Sequence, residues 1–480
     1  MGNLVLAQEQ VVPEPVVKVF ARFGTRGGSG WLFDAACDTV ARGAVVRFLM
    51  PLPDGQVVLA TGRIADVQTN RRIVILQETP WTGRMVLTFR AQGQQCLIRL
   101  GVTVSDECIA WLGRSAGGQP SESDPETEDR GVRVGLLVSL SGTAGLLGRA
   151  SQNAAQLAIE ELNQDGGVCG LPVSLHIGDE STSPLVALRE FNRLTETVGC
   201  DVVVAMMSSA SMALVRPVAR ARRTLLLYTP AAESGPFSEH IVHFGERPYD
   251  QLAYSIPLLM KTTGGRGWFL VGNRYSWPET VLRVGKNVIE QTGGKLLGAR
   301  FLPMGQSCFD EVLEAVEASG ADHLISAMVG ADAVAFERSF FARGLREKVR
   351  TIATLFDDVV REHVGDDAAA GIWSPLDYFF ACDHADGGAL AKRWQSRFGA
   401  VSPPLSSTAK SVYDAVHAYG QSAHLARSIT PDDVARAMWT LQPPTSPLLI
   451  RSAGRSYPTS IAEAVRGGFA LRETPSSLGR

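Results

Sequence analysis

Two aromatic residues, Tyr275 and Trp277, sit in the stretch FLVGNRYSWPET (269–280), where chemistry is easier to explain than packing. Phe269, Leu270 and Val271 read as a buried strand, Gly272 breaks it, and Pro278 with Glu279 reads as a helix start. Large rings on the loop at a strand's carboxyl end suit a wall against which a small molecule lies. Other stretches that suggest chemistry carry less. SGTAGLLG (141–148) follows a strand, but its glycines at 142, 145 and 148 do not make GxGxxG, and no GK[ST] follows. CDHADGG (382–388) gathers Cys382, Asp383, His384 and Asp386, and DDVVREHVGDD (357–367) is similar. Metal ligands usually converge from separate elements, so both read as solvated loops. GGSGW is not a nucleophile elbow, and the eight His have no Ser or Cys partner at a telling spacing. The residues call for binding without catalysis, metal or cofactor.

Those loops need a scaffold, and the carboxyl-terminal part supplies one. VRVGLLVSL (132–140) reads as an apolar strand, and ASQNAAQLAIEELNQDGG as a helix with a Gly stop. The alternation continues through LPVSLHIGD, SPLVALREFNRLTET, DVVVAMM, SMALVRPVARARR and TLLLYTP. It pauses in an irregular segment and resumes from RGWFLVG to VRTIATLF. Strands that are apolar throughout, alternating with amphipathic helices, indicate an α/β protein with parallel sheets covered on both faces. The pause implies two doubly wound lobes with a break near 245–265 and a cleft between them. The long helical stretch SSTAKSVYDAVHAYGQSAHLARSI is expected to return to the first lobe.

Residues 131 to about 470 resemble the type I periplasmic-binding-protein fold, and more closely its amide-, urea- and branched-chain amino acid-binding branch, which includes the amide sensor of an amidase operon. The resemblance rests on VGLLVSLSGTAG, AIEELNQDGGVCGLPV, VVAMMSSASMALVRPVARARRTLLLYTP, VGNRYSWPET and QTGGKLLGARFLPMG, in that order. It implies that Tyr275 lies against the ligand, with Trp277 as second aromatic. It also implies that Ser209, Tyr228 with Thr229, and Ser141 come to the cleft from three other loops. Hydroxyls and unbonded N–H groups at helix starts can hold a carbonyl oxygen. Asp332, after SAMVG, is either a helix cap or an acid in the cleft. Met207 stands where amide binders carry an aromatic, and Phe356 where the amide sensor carries a Thr.

Residues 1–113 have a different pattern. AVVRFLMP, QVVLATGRIADV, RRIVILQETP, GRMVLTFRAQG and QCLIRLGVTV read as strands, and SDECIAWLG as the first turns of a closing helix. GWLFDAACDTVARGAVVRF and RRIVILQETPWTGRMVLTF resemble the helix-grip (START-like) α+β fold of the Hsp90-ATPase-activator homologue group. The acidic stretch 114–130, with no large apolar residue, reads as a flexible tether.

Composition narrows the partners. A net charge of −3 offers no electrostatic footprint for nucleic acid, and no segment reaches the length of a membrane span. The seven Cys are scattered without a CxxC pair, as in a reducing compartment. The start MGNLVLAQEQVVPEP lacks a basic region and a long apolar core, and Leu6 breaks the myristoylation pattern. The expected location is therefore the cytoplasm, with the periplasm or cell surface as the alternative if translation starts elsewhere. Three roles remain open. The chain is a ligand sensor acting on a regulatory partner, for which the resemblance implies an RNA-binding antiterminator. Alternatively it is the binding subunit of an ABC permease, or a scaffold working through the START-like domain. A homo-oligomer is compatible with each.

Overall fold

The computed structural model describes residues 4–12, 14–21, 23, 34–37, 40–51, 57–79, 82–104, 131–231, 238–385, 387–399, 402–440 and 459–473. The chain divides into two compact units, residues 1–121 and 122–480.

In the first unit, β1 (Leu4–Val12) leads to a short helix, α1 (Val16–Ala21). Then come β2 (Asp34–Cys37), β3 (Val45–Pro51), β4 (Val57–Gln68), β5 (Arg72–Thr79), β6 (Gly83–Gln92) and β7 (Gln95–Val104). They form one antiparallel sheet in the order β1-β7-β6-β5-β4-β3-β2. Val19, Phe20 and Phe23 pack with Ile73, Ile75, Leu87, Phe89 and Ile98, which alternate along their strands and so share one face. Five of the strands follow the sequence reading. The other two, β1 and β2, fall outside it; β1 pairs with β7 from Leu4↔Val104 to Val12↔Cys96, although its apolar run spans only Leu4 to Ala7. An edge strand takes its stability from backbone pairing, so a short apolar run is no bar to it. The expected closing helix (105–113) and the tether (114–130) lie outside the described residues.

The second unit begins with a parallel lobe: β8 (Val132–Val138), α2 (Gly148–Gln164), β9 (Val173–Asp179), α3 (Pro184–Asn192), β10 (Val202–Met206), α4 (Ser209–Ala221), β11 (Leu226–Tyr228) and β12 (Ile241–His243). Its strand order is β12-β11-β10-β8-β9. The chain then crosses at Phe244–Arg247 into the second lobe. That lobe has α5 (Pro248–Thr263), β13 (Gly267–Asn273), α6 (Ser276–Gln291), β14 (Lys295–Leu302), α7 (Asp310–Ser319), β15 (His323–Ala327), α8 (Gly330–Ala342), β16 (Arg350–Ala353), α9 (Asp358–Val364), α10 (Asp366–Ala369) and β17 (Trp373–Leu376). Next come α11 (Phe380–Ala385), α12 (Ala389–Phe398), α13 (Ser407–Ala426) and α14 (Pro431–Met438), and then β18 (Ser460–Val465) and β19 (Gly468–Glu473). As expected, α13 returns to the first lobe and lies along α2, where a Cβ on Gly420 would stand 2.7 Å from Leu162 Cδ2.

The second sheet corrects the expectation of two wholly parallel sheets. Its order is β14-β13-β15-β16-β17-β18-β19, and the last two strands run antiparallel. Only the turn at Arg466–Gly467, with Gly467 at φ +78°, separates β18 from β19, and so tight a turn allows only antiparallel pairing. Every residue of β10 and of β15 is buried, as suits strands covered on both faces. Where the chain passes between lobes, the Glu246 carboxylate accepts the Asp377 N–H at 3.1 Å and the Ser407 hydroxyl at 2.6 Å. That side chain ties the crossing at Phe244–Arg247 to the segment after β17 and to the start of α13. No helix among the described residues is long and apolar enough to cross a membrane.

Candidate ligand cleft

Parallel strands send all their carboxyl ends one way, so the loops after β8, β10 and β11 gather on one edge of the first lobe. The loops after β13, β15 and β16 gather on the matching edge of the second. These two edges meet. The Ala331 N–H donates to Thr143 O at 3.0 Å across the lobes. Beside it Gly330, at φ +56°, approaches so closely that a Cβ there would stand 2.1 Å from Thr143 O. Ala144 and Ala231 of the first lobe share an apolar cluster with Trp277 and Val329 of the second, with Tyr275 and Leu355 packed against it. Helix α4 touches α6 across the same gap. This is a closed arrangement of the lobes.

The structure places the expected site residues at this edge but gives them different duties. Ser208, not Ser209, caps α4: its Oγ accepts the Ser211 N–H at 3.1 Å. Ser209 follows in the first turn, 7% exposed, and its Oγ is buried with no hydrogen-bond partner. The N–H groups of Ser209 and Ala210 precede the first bond of the helical ladder and point out of its end. Trp277 sits in the first turn of α6 rather than on a loop, 1% exposed, and its Nε1 is likewise buried and unpartnered. Tyr275 precedes that turn, half-buried, its ring stacked on Trp277 with centroids 6.4 Å apart. A buried polar atom without a partner is uncommon and asks for an explanation, such as a ligand or a water.

The other expected residues have partners within their own lobe. Tyr228 OH donates to Met207 O at 3.0 Å, and Thr229 Oγ1 to Ala205 O at 3.2 Å. Ser141 is exposed, with its Oγ 2.7 Å from Asp179 Oδ2 and 2.9 Å from Ser181 Oγ. Asp332 is 2% exposed and accepts from Asn273 Nδ2 at 2.6 Å and Gly305 N at 2.9 Å, bracing the loops after β13 and β14. Burial pushes its pKa up, against the pull of those donors. Phe356 packs edge-on to Phe469, inside the second lobe. Asp383 accepts from Tyr378 OH at 2.8 Å and the Ala391 N–H at 3.2 Å, a local fold contact.

Several residues that shape this edge are not evident from single-residue chemistry. Asp179, the last residue of β9, and Glu180 after it form an acid pair that takes bonds from the loop after β8, the turn after β9 and the first turn of α4. Asp357 caps α9 through the Val360 N–H at 3.1 Å, and burial raises its pKa to about 7. His243, at the end of β12, is held neutral: burial, with Arg216 and Arg247 nearby, lowers its pKa to about 4. The serine doublet at 208–209 and the acid doublet at 179–180 were the available signals, since neither pair suits a plain helix face or strand interior.

Two mostly parallel lobes, crossed by the chain and closing on each other's carboxyl edges, define a two-lobed binding protein. The chain belongs to the periplasmic binding protein family, whose model matches residues 131–452. A Leu/Ile/Val-binding protein homolog of Brucella abortus is 32% identical over 114 residues, 24% of this chain and 27% of that protein. The Leu/Ile/Val-binding protein BraC3 of Rhizobium johnstonii is 30% identical over 101 residues, 21% of this chain and 27% of that protein. The chain thus matches about a quarter of the length of these relatives. Among solved structures, the leucine-binding protein LivK of Thermotoga maritima superposes with a TM-score of 0.62 at 15% identity, covering 72% of this chain and 99% of that one. A solute-binding protein of R. palustris in complex with benzoate gives a TM-score of 0.61 at 19% identity, covering 72% and 96%. At such identities the likeness is one of fold. The family is one of binding proteins, in keeping with the expectation that the chain is not an enzyme.

Proposed function

We propose that the second unit closes on a small molecule carrying one carboxamide or carboxylate group on an apolar body. The Ser209 hydroxyl and the N–H groups of Ser209 and Ala210 hold the oxygen, Trp277 Nε1 supplies a second donor, and the Tyr275 ring forms a wall. The observation that carries this reading is that Ser209 Oγ and Trp277 Nε1, both buried and unpartnered, lie in the first turns of two helices that touch across the lobes. The apolar surroundings of Ala144, Ala231, Val329 and Leu355 support a ligand with a single polar end. Leucine and benzoate, the ligands named for two similar structures, both carry a carboxylate. Short amides and amino acids with apolar side chains fit this description, and urea, which has no apolar body, tests its limit.

The test is a thermal-shift screen of the full chain with L-leucine, benzoate, propionamide and urea, since a ligand of the native state raises the melting temperature by mass action. A shift that Ser209→Ala and Tyr275→Ala both abolish supports the cleft. A shift that neither variant changes overturns it. As to role, the β-sheet unit fused ahead of the clamp, with its START-like resemblance, supports a cytoplasmic sensor with a regulatory partner such as an antiterminator. The transport proteins among the relatives favour the second reading, a subunit serving an ABC permease. Fractionation of the natively expressed chain separates them: a cytosolic fraction supports the sensor, a periplasmic one the permease partner.

A further inference from the structure

Beneath the cleft edge lies a carboxylate that touches no cation among the described residues. Glu180 follows β9 and is fully buried. Its Oε2 accepts the Ser211 hydroxyl at 2.7 Å, and its Oε1 accepts the Thr182 N–H at 3.1 Å and the Ser139 hydroxyl. These donors come from three segments: the end of β8, the turn after β9 and the first turn of α4. Ser211 in turn takes the Ser208 hydroxyl at 3.2 Å while its N–H is capped by Ser208. Ser209 lies between Ser208 and Ser211 in the same first turn. One residue earlier, Asp179 binds the Leu140 N–H at 3.0 Å and the Ser181 N–H at 2.9 Å, covering the exposed side of the same loops.

Burying a carboxyl is costly, and an apolar side chain of similar size usually gives at least equal stability. Burial duly pushes the Glu180 pKa up, while its hydroxyl and amide donors act the other way. What three donors from three segments provide is geometry, because each bond removes a freedom of one loop relative to the others. We propose that Glu180 is a positioning residue for the ligand site, setting the first turn of α4, and with it the Ser209 hydroxyl, against the loop after β8. Its effect on binding rests on the cleft reading above. Its effect on the α4 turn does not.

The experiment uses the full chain and four variants: Glu180→Ala, Glu180→Gln, Ser211→Ala and, as a control, Glu161→Gln. Glu161 serves the contacts of α2 with α12 and α13, away from the cleft edge. Hydrogen exchange at residues 208–212 and 139–144 is read first, without ligand. Loss of a buried bond should speed exchange about tenfold there in Glu180→Ala and Ser211→Ala. Glu180→Gln, which keeps an acceptor, should recover most of the protection, and Glu161→Gln should leave it unchanged. Benzoate and L-leucine are then titrated. The first two variants should weaken whichever probe binds by about tenfold, while Glu161→Gln lowers the melting temperature without changing affinity. Unchanged exchange at 208–212 in Ser211→Ala, whether or not Glu180→Ala folds, overturns the proposal. So does an affinity loss that Glu161→Gln reproduces at equal destabilisation. If neither probe binds the wild type, the ligand reading fails for those compounds, and the exchange data still decide on Glu180.

Discussion

Replacing Gly330 with alanine separates the cost of a strained backbone from the cost of keeping two lobes apart. Gly330 has φ +56°, where a non-glycine residue costs about 1–2 kcal/mol whatever surrounds it. In a unit of this size that lowers the melting temperature by a few degrees, roughly 2–4 °C per kcal/mol. The second cost exists only when the lobes are closed. The new Cβ would lie 2.1 Å from Thr143 O and 3.1 Å from Ala144 Cα, so the lobes must part by roughly 1 Å. Parting strains or breaks the Ala331–Thr143 bond, now 3.0 Å, and thins the contacts of Ala144. A lost bond of about 1 kcal/mol and a similar packing loss penalise closure by roughly 1.5–3 kcal/mol, or about ten- to a hundredfold in Kd. Gly320 is the control: its φ is +64°, and nothing lies within 4 Å of its Cβ position. The assay is calorimetric titration of both variants with the tightest probe from the thermal-shift screen, beside their melting curves. Both should melt lower, and only Gly330→Ala should bind weakly. Equal affinity in the two variants would refute the reasoning, because the lobes would then not meet at Gly330 in the bound state.

Three further expectations concern pH. Asp357, with a pKa of about 7 when folded against about 3.9 unfolded, binds more protons in the native state. It therefore lowers stability as pH rises from about 4 to 7. Melting curves of Asp357→Asn should lose that decline and show the variant gaining on the wild type at pH 8. His243 acts in the opposite sense: a folded pKa of about 4 against about 6.5 unfolded means that stability is lost as pH falls through that window. The two effects oppose each other between about pH 4 and 6.5. His243→Gln should therefore steepen the decline from acid to neutral pH, and an unchanged pH profile would count against the burial of its neutral ring. For Glu161, burial opposes ionisation, but the His417, Tyr413 and Arg393 partners outweigh it and hold the pKa at about 2. Its contribution, on the order of 2–3 kcal/mol, is present above the unfolded carboxylate pKa and is lost as pH falls towards 2. Glu161→Gln should melt below the wild type at pH 7, the difference closing under acid conditions.

Much of the scaffold was legible locally. The runs at 132–140, 201–207 and 322–330 are apolar without alternation because both faces of their strands are covered, and each became a strand within two or three residues. The helix at 406–429 showed its period, and Ser406 caps it through the Ala409 N–H. Less legible was β1, whose order comes from pairing with a strand about ninety residues away. The hairpin of β18 and β19 closes a sheet begun nearly two hundred residues earlier. For the proposed site, the loops at the strand ends were readable as loops, but the hydrogen-bond partners of their side chains were not. Tyr228, Thr229 and Asp332 meet partners contributed by neighbouring loops or strands, and one-dimensional spacing does not reveal such neighbours.

By itself the sequence determined the two-lobed α/β plan and the separate β-rich unit, and it marked the strand-end loops from which the ligand site is proposed. Periodicity, helix caps and turn residues act over a few positions and survive any tertiary context. Only the tertiary structure decided that Ser208 takes the cap and leaves Ser209 Oγ without a partner, that Glu180 sits beneath three loops, and that Gly330 faces Thr143 across the lobes. Hydrogen-bond satisfaction and close approach depend on which distant segments share a few ångströms of space, and the fold brings those segments together only once both sheets and the crossings between them are in place.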